Sequence, residues 1–260
     1  AVQQAELGTI FRESWVLADP VESGQLDAPE TFVPAEIAGS PVYFHRDQEG
    51  TLRAFPNVCT HAWYPVVVKP GRGKFTTCAQ HGRRFDAAGQ CVSQPGFGDV
   101  DGFPDEASHL KALGLGELGP LRFLCLGRPR YSFEKVFEPI RASLVNMPFD
   151  AMSLVEGAQE VREIEGNWKQ QAWNYMDKFH IPFIHRAPGG LVDLMQYRDY
   201  RTELYSHAAL QWAWARNPEH GFEPDFLPER FRDPKGRGRK VVALWWFIFP
   251  NLTLNFYPWG

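Results

Sequence analysis

Four residues constrain the fold of this chain more than any others. Cys59 and His61 lie in one short stretch and Cys78 and His81 in another, with sixteen residues between the two stretches. Cys and His alternate along the chain, and turn-forming residues adjoin each pair. A site built from them requires two loops, each offering one thiol and one imidazole, to meet in space. A [2Fe-2S] cluster with unlike irons takes two thiolates on one iron and two imidazoles on the other. Tetrahedral zinc accepts the same four donors, although zinc fingers usually keep their cysteines together and their histidines together.

The surrounding sequence says what carries those loops. From about residue 36 it reads as short strands with turns between them. Pro41–Phe44 and Leu52–Phe55 flank Asp47-Gln48-Glu49-Gly50, a hairpin signal with glycine in the turn. Glycine punctuation continues to Gly98, and the apolar run Leu121–Leu126 closes the region. This texture predicts a small antiparallel β domain over residues 36–128, preceded by a segment 1–35. Beyond residue 129 the pattern changes. Phe133, Val136, Phe137, Ile140 and Leu144 keep a helical period interrupted by Pro139, and Ser153–Ile164 alternates like a strand. Asn167–Phe179 has the strongest helical period, while Leu204–Trp214 and Val241–Trp259 are aromatic and strand-like. Residues 129–260 therefore read as α+β.

A second constellation sits in that later region. Asp177, His180 and His185 interrupt an otherwise apolar and aromatic run, Asn174–His185. On one helix, Asp177 and His180 share a face. His185 lies five positions after His180, and Pro182 between them breaks the helical bonding and re-aims the second imidazole. The pair supplies two corners of a facial triad, which needs one carboxylate more and open positions for oxygen and substrate.

Composition excludes several classes. A net charge of −4 gives no reason for a nucleic-acid partner. No stretch approaches the roughly 18 to 20 apolar residues of a membrane helix. Four cysteines, two of them at metal-ligand spacing with histidines, suit a reducing cytoplasm better than a disulfide scaffold. Cys91 and Cys125 stand outside the motif and read as small buried hydrophobes. No nicotinamide or flavin fingerprint is present.

The spacing Cys-x-His, sixteen residues, Cys-x-x-His followed by Gly82 resembles a Rieske domain. The lead-in Arg46-Asp47 through Gly50-Thr51-Leu52-Arg53-Ala54-Phe55-Pro56-Asn57-Val58-Cys59 is similar to Rieske non-heme iron oxygenases. By that resemblance Cys59 and Cys78 bind one iron of a [2Fe-2S] cluster, and His61 and His81 bind the other. The loops lack the extra cysteines of respiratory Rieske proteins, so the disulfide that closes over those clusters is impossible here. One departure stands out: this class often continues His-Gly-Trp, whereas this chain has His81-Gly82-Arg83. Arg83 thereby puts the electrostatics of the cluster edge in question.

The pattern Asn174-x-x-Asp177-x-x-His180-x-x-x-x-His185, introduced by Asn167-Trp168-Lys169, is similar to the catalytic domain of Rieske oxygenase α subunits. The resemblance implies an all-β Rieske domain followed by part of an α+β, helix-grip-like catalytic domain. It also implies mononuclear Fe(II) on His180 and His185, with Asp177 as a carboxylate bridge that hydrogen-bonds His180 and a cluster histidine of a neighbouring subunit and passes electrons from that cluster to the iron. A third, carboxylate ligand is expected beyond Gly260, since no Asp or Glu follows Asp233. The expected partners are a ferredoxin or flavin reductase as electron donor, O2, a small organic substrate, and further copies of the chain in a trimer-type homo-oligomer. The expected activity is a mono- or dioxygenase performing hydroxylation or demethylation, and the rival is a non-catalytic electron-transfer protein with a vestigial second half. Trp245-Trp246-Phe247 and Asn255-Phe256-Tyr257-Pro258-Trp259 are similar to oxygenases of quaternary ammonium compounds, though alternating core strands account for the same residues.

Overall fold

A computed structural model of the chain describes residues 2–18, 25–98, 100–153, 155, 157–158 and 160–259. It divides into two compact units, Ala1–Glu117 with Leu121–Arg130, and Leu118–Pro120 with Tyr131–Gly260. Among the described residues no helix is long and apolar enough to cross a membrane.

The first unit is antiparallel β. Its strands are β1 (Val16–Leu17), β2 (Thr31–Ile37), β3 (Ser40–Arg46), β4 (Leu52–Pro56), β5 (Gly71–Arg72), β6 (Phe75–Thr77), β7 (Arg84–Asp86), β8 (Cys91–Ser93), β9 (Gly114–Leu118) and β10 (Leu121–Cys125). They form sheets ordered β4-β3-β2-β5, β6-β7-β8 and β1-β10-β9. The expected hairpin is β3–β4, with Arg46 opposite Leu52. Asp47 closes its turn by accepting the Thr51 N–H at 2.6 Å and pairing with Arg53 at 2.7 Å, and Gly50 supplies the positive φ of 88°. The core gathers Tyr43, Phe55, Val66, Val67, Phe85 and Leu110 around Cys59, Cys78 and Cys91. Gly89 is required there: its φ is +83°, and a Cβ would lie 2.5 Å from the Phe55 ring.

His45, on β3, is fully buried, with Nε2 3.1 Å from the Gly73 carbonyl and Nδ1 unpartnered. Burial pushes its pKa below the usual 6.5, and the Gly73 contact only partly offsets this. The folded state therefore keeps His45 neutral in a pH range where the unfolded chain binds a proton, so stability is complete above about pH 6.5 and falls as pH drops below it. Denaturant titrations between pH 8 and 5 should show this fall. His45→Gln, which keeps a donor for Gly73, should flatten it.

The second unit is built on one antiparallel meander, β11 (Arg201–Leu204), β12 (Ala208–Trp214), β13 (Val241–Ile248) and β14 (Leu252–Phe256). β12 and β13 are buried along their whole length, which is why they read as continuous apolar runs. Helix α1 (Phe133–Leu144) starts at Ser132, whose Oγ accepts the Lys135 N–H, and it buries the predicted apolar face. Trp246 donates its indole N–H to Ser143 at 3.2 Å, joining α1 to one face of the sheet. Helix α2 (Trp168–Met176) covers the other face, with Ala172 and Tyr175 packed on Ala209 and Phe247.

Three expectations fail here. The strand expected over Ser153–Ile164 does not form among the described residues of that stretch (154, 156 and 159 lie outside them). Val155, Val161 and Ile164 are exposed, and Gly157 has a φ of +74°. Alternation makes a strand only when a sheet edge and a face to bury are on offer. The helix expected to reach Phe179 ends at Met176 instead. Asp177 leaves the helical region, with φ −81° and ψ 116°, and its Oδ1 accepts the Phe179 N–H at 2.8 Å. A short side chain bonding the backbone two residues on is a turn that competes with helix. Pro182 lies in the first turn of a new helix α3 (Ile181–Ile184), where its missing N–H costs nothing, so it begins a helix rather than breaking one.

Candidate metal centres

The loops carrying the first four donors share one backbone design. The Cys59 N–H donates to the Tyr64 carbonyl at 2.8 Å, and the Trp63 N–H to the Cys59 carbonyl at 3.0 Å. The Cys78 N–H donates to Arg83 at 2.9 Å, and the Gly82 N–H to Cys78 at 2.9 Å. Each loop is thus a six-residue clip whose fifth residue is left-handed, Trp63 at φ 56° and Gly82 at φ 73°. The first clip follows β4 and is tied down by Asn57, which exchanges two hydrogen bonds with the Val67 backbone at 2.7 and 2.9 Å. The second is the tip of the β6–β7 hairpin.

The clips sort their donors by depth. Cys59 and Cys78 are 1% exposed and belong to the core, whereas His61 and His81 are exposed with ring centroids 4.7 Å apart. Burial raises the Cys59 pKa, the His61 backbone N–H lowers it, and the adjacent Cys78 thiol raises it again. Among the described residues, no three or more His, Cys, Asp or Glu side chains gather on a single metal position. A [2Fe-2S] cluster does not require that, because each iron takes two protein ligands. A buried thiol pair beside an exposed imidazole pair fits such a cluster, one iron inward and one outward. Cys91 and Cys125 are also buried, with pKa values raised by burial, and lie outside the clips.

The structure also brings the second constellation together, across a turn rather than along one helix face. His180 and His185 cap the two ends of α3, and their Nε2 atoms lie 3.2 Å apart. Asp177 Oδ2 is 3.4 Å from His180 Nδ1. The Phe179 N–H bond, offset in part by burial and assisted by His180, holds the Asp177 carboxyl below the ordinary carboxylate range. A carboxylate at Nδ1 favours the tautomer that leaves the Nε2 lone pair free for a metal. The two imidazoles fit two adjacent positions of a mononuclear iron site. Asp177 is the one carboxylate among the residues lining their cavity, and it faces His180 Nδ1, not the point the two rings share.

That cavity holds about 230 Å³ and is walled by Tyr175, Tyr200, Trp245 and Tyr257. Tyr200 stacks on Trp245 with centroids 5.8 Å apart. Burial raises the pKa of both Tyr175 and Tyr200, so both stay neutral donors, Tyr175 to Asn255 and Tyr200 to Gln211 at 2.7 Å. Gln211 is fully buried and its amide also donates to the Tyr175 carbonyl at 2.8 Å, on the last turn of α2 before Asp177. Sequence reading passed over Gln211 and Tyr200; the available signal was a single amide inside the apolar run Ala208–Trp214. Strand alternation splits the aromatic stretch, with Trp245 facing the cavity and Trp246 facing α1. A larger cavity, about 710 Å³ among Met147, Phe222, Phe226 and Trp259, contains none of the candidate ligands.

Two family models match the chain, the Rieske [2Fe-2S] domain over residues 14–104 and the ring-hydroxylating α-subunit catalytic domain over residues 151–259. The carnitine monooxygenase oxygenase subunit of Acinetobacter baumannii is 26% identical over 225 residues, 86% of this chain and 59% of that protein. The large oxygenase component of the naphthalene 1,2-dioxygenase system of Pseudomonas putida is 29% identical over 194 residues, 71% of this chain and 42% of that one. Among solved structures, the quaternary ammonium Rieske monooxygenase CntA matches with a TM-score of 0.71 at 21% identity, over 98% of this chain and 64% of that chain. At that identity the likeness concerns the fold. The chain spans 59% of the length of the carnitine monooxygenase subunit it matches.

Proposed function

Because the chain belongs to the family of Rieske ring-hydroxylating oxygenase α subunits, we propose that it carries electrons from a [2Fe-2S] cluster to a mononuclear iron that activates O2 against a small organic substrate. Cys59 and Cys78 would hold one cluster iron and His61 and His81 the other, with the mononuclear iron on His180 and His185. When bound, these groups supply one-electron transfer and oxygen activation for hydroxylation or demethylation. The chain's own residues do the rest. Asp177 fixes the proton on His180 Nδ1, the α2–α3 turn aims both imidazoles at one point, and the aromatic walls keep bulk water from a bound substrate. The convergence of two Nε2 atoms at 3.2 Å in an aromatic cavity carries this reading.

The neighbour supplying electrons to this iron is another copy of the chain. Trp173, Phe179, Phe183 and Ile184 are each at least 70% exposed around Asp177, and Trp63 is 82% exposed beside His61. Two different apolar patches, one at each redox site, suit a head-to-tail contact that closes into a ring, of which a trimer is the expected size. Trp63 is strained for a non-glycine residue, and such strain persists where function keeps it. Trp63→Gly should raise the thermal stability of the isolated chain by about 1 kcal/mol while weakening self-association in sedimentation. A ferredoxin or flavin reductase donates the first electron. Four unpaired buried cysteines suit a reducing cytoplasm.

For substrate we favour a quaternary ammonium or methylated amine. Tyr175, Tyr200, Trp245 and Tyr257 surround a cavity with room for a small headgroup with the aromatic rings that attract a cation, and a matching relative is named for carnitine. The second reading to separate is electron transfer without catalysis. Anaerobically reduced protein, loaded with Fe(II), should give a Rieske-type EPR signal, bind choline but not naphthalene in calorimetry, and form product with O2 and a reductase. A silent spectrum with stoichiometric zinc would overturn the cluster. An intact signal with no product from any amine or arene would favour the second reading.

A further inference from the structure

Arg83 is 5% exposed, and among the described residues no carboxylate pairs with its guanidinium. Its partners are neutral. Nε donates to Gln94 Oε1 at 2.5 Å, a second nitrogen donates to Thr60 Oγ1 at 2.8 Å, and the group lies 5.5 Å from the centroid of the Phe103 ring. A buried positive charge with only neutral partners is expensive, and negative charge gained nearby offsets that cost. The position of this one points to the compensating charge. Arg83 is the last residue of the second clip, its carbonyl receives the Cys78 N–H, and its guanidinium reaches Thr60, between Cys59 and His61 on the first clip. The guanidinium therefore bridges the two clips, from the backbone of the second to the Thr60 hydroxyl of the first.

The inference rests on the cluster reading above. A cluster of two ferric ions, two sulfides, two thiolates and two neutral imidazoles has no net charge when oxidised and one negative charge when reduced. We propose that Arg83 is the built-in counter-charge for the electron stored by this cluster, a positioning residue that raises the cluster's reduction potential and so sets which donor can reduce it. The reduction it favours is a one-electron step: a donor protein loses one electron, one ferric ion becomes ferrous, and no proton need move because the guanidinium is already charged. Arg83 also cross-links the two clips, so a purely structural role is the alternative to separate.

Redox titrations monitored by EPR on the full-length protein make that separation. Arg83→Met keeps the aliphatic stem and removes the charge, whereas Arg83→Lys keeps the charge and loses the planar fork. The expected result is that Arg83→Met lowers the reduced-to-oxidised ratio at a fixed poise at least tenfold, about 59 mV for a one-electron couple, while Arg83→Lys shifts it much less. If Arg83→Met does not load a cluster, Arg83→Gln takes its place under the same criterion. Equal potentials in wild type and the neutral variant, or equal shifts in the neutral and lysine variants, overturn the proposal and leave the cluster reading standing. A wild-type protein with no reduced-state signal overturns both.

Discussion

Cys78→Ser leaves a protein with no Rieske-type EPR signal on reduction. Cys78 is 1% exposed and sits in the hydrophobic core beside Cys59, so no solvent-borne ligand can take its place. A serine hydroxyl there is a poor ligand and a buried polar group without a ready partner, costing on the order of 1–3 kcal/mol on its own. The matched control is Cys91→Ser. Cys91 is in the same core, equally free and nearly as buried, but outside both clips. It should lose comparable stability and keep its signal in full. Iron and sulfide analysis with EPR decides the comparison; a full signal in Cys78→Ser would remove that residue from the ligand set.

Asp177→Asn should separate the carboxylate's charge from its part in the turn. Asn can still accept the Phe179 N–H, so the turn between α2 and α3 survives. What goes is the negative charge facing His180 Nδ1, and with it the fixed tautomer and the proposed carboxylate bridge. Loss of a carboxylate behind a ligand histidine typically costs about 10- to 100-fold in activity. The expected variant keeps its cluster spectrum and its fold, and in single-turnover experiments oxidises its cluster about 10- to 100-fold more slowly. Asp177→Ala, which breaks the turn as well, should also lose metal from the imidazole pair. Wild-type rates in Asp177→Asn would refute the bridge.

The legible parts of this molecule were those governed by short-range rules. The two Cys–His turns could be read because each pair is local in sequence, and the Asp47–Gly50 hairpin and the Phe133–Leu144 helix because period and turn chemistry agree there. The unread parts were decided by competition. Periodicity carried the second helix through Phe179, but the Asp177 side chain bonds the backbone locally and ends it three residues earlier, swinging His180 towards His185. The apolar alternation of Ser153–Ile164 pairs with none of the described strands and leaves Val155, Val161 and Ile164 exposed, so it has no face to bury. Gln211 was invisible for another reason: its value lies in a tertiary bond to the Tyr175 carbonyl, which no local pattern encodes.

The two clips have a consequence for protein engineering. Each closes on itself through the same pair of backbone bonds, from the first residue to the sixth and from the fifth back to the first, whether the histidine stands third or fourth. The frame thus accommodates a histidine at the third or the fourth position, and the one-residue stagger between His61 and His81 offsets one imidazole from the other. The transplantable unit is six residues long. A host need provide only two facing turns at the right separation, a small apolar floor for the thiols, and a glycine at the fifth position wherever no partner protein requires a tryptophan.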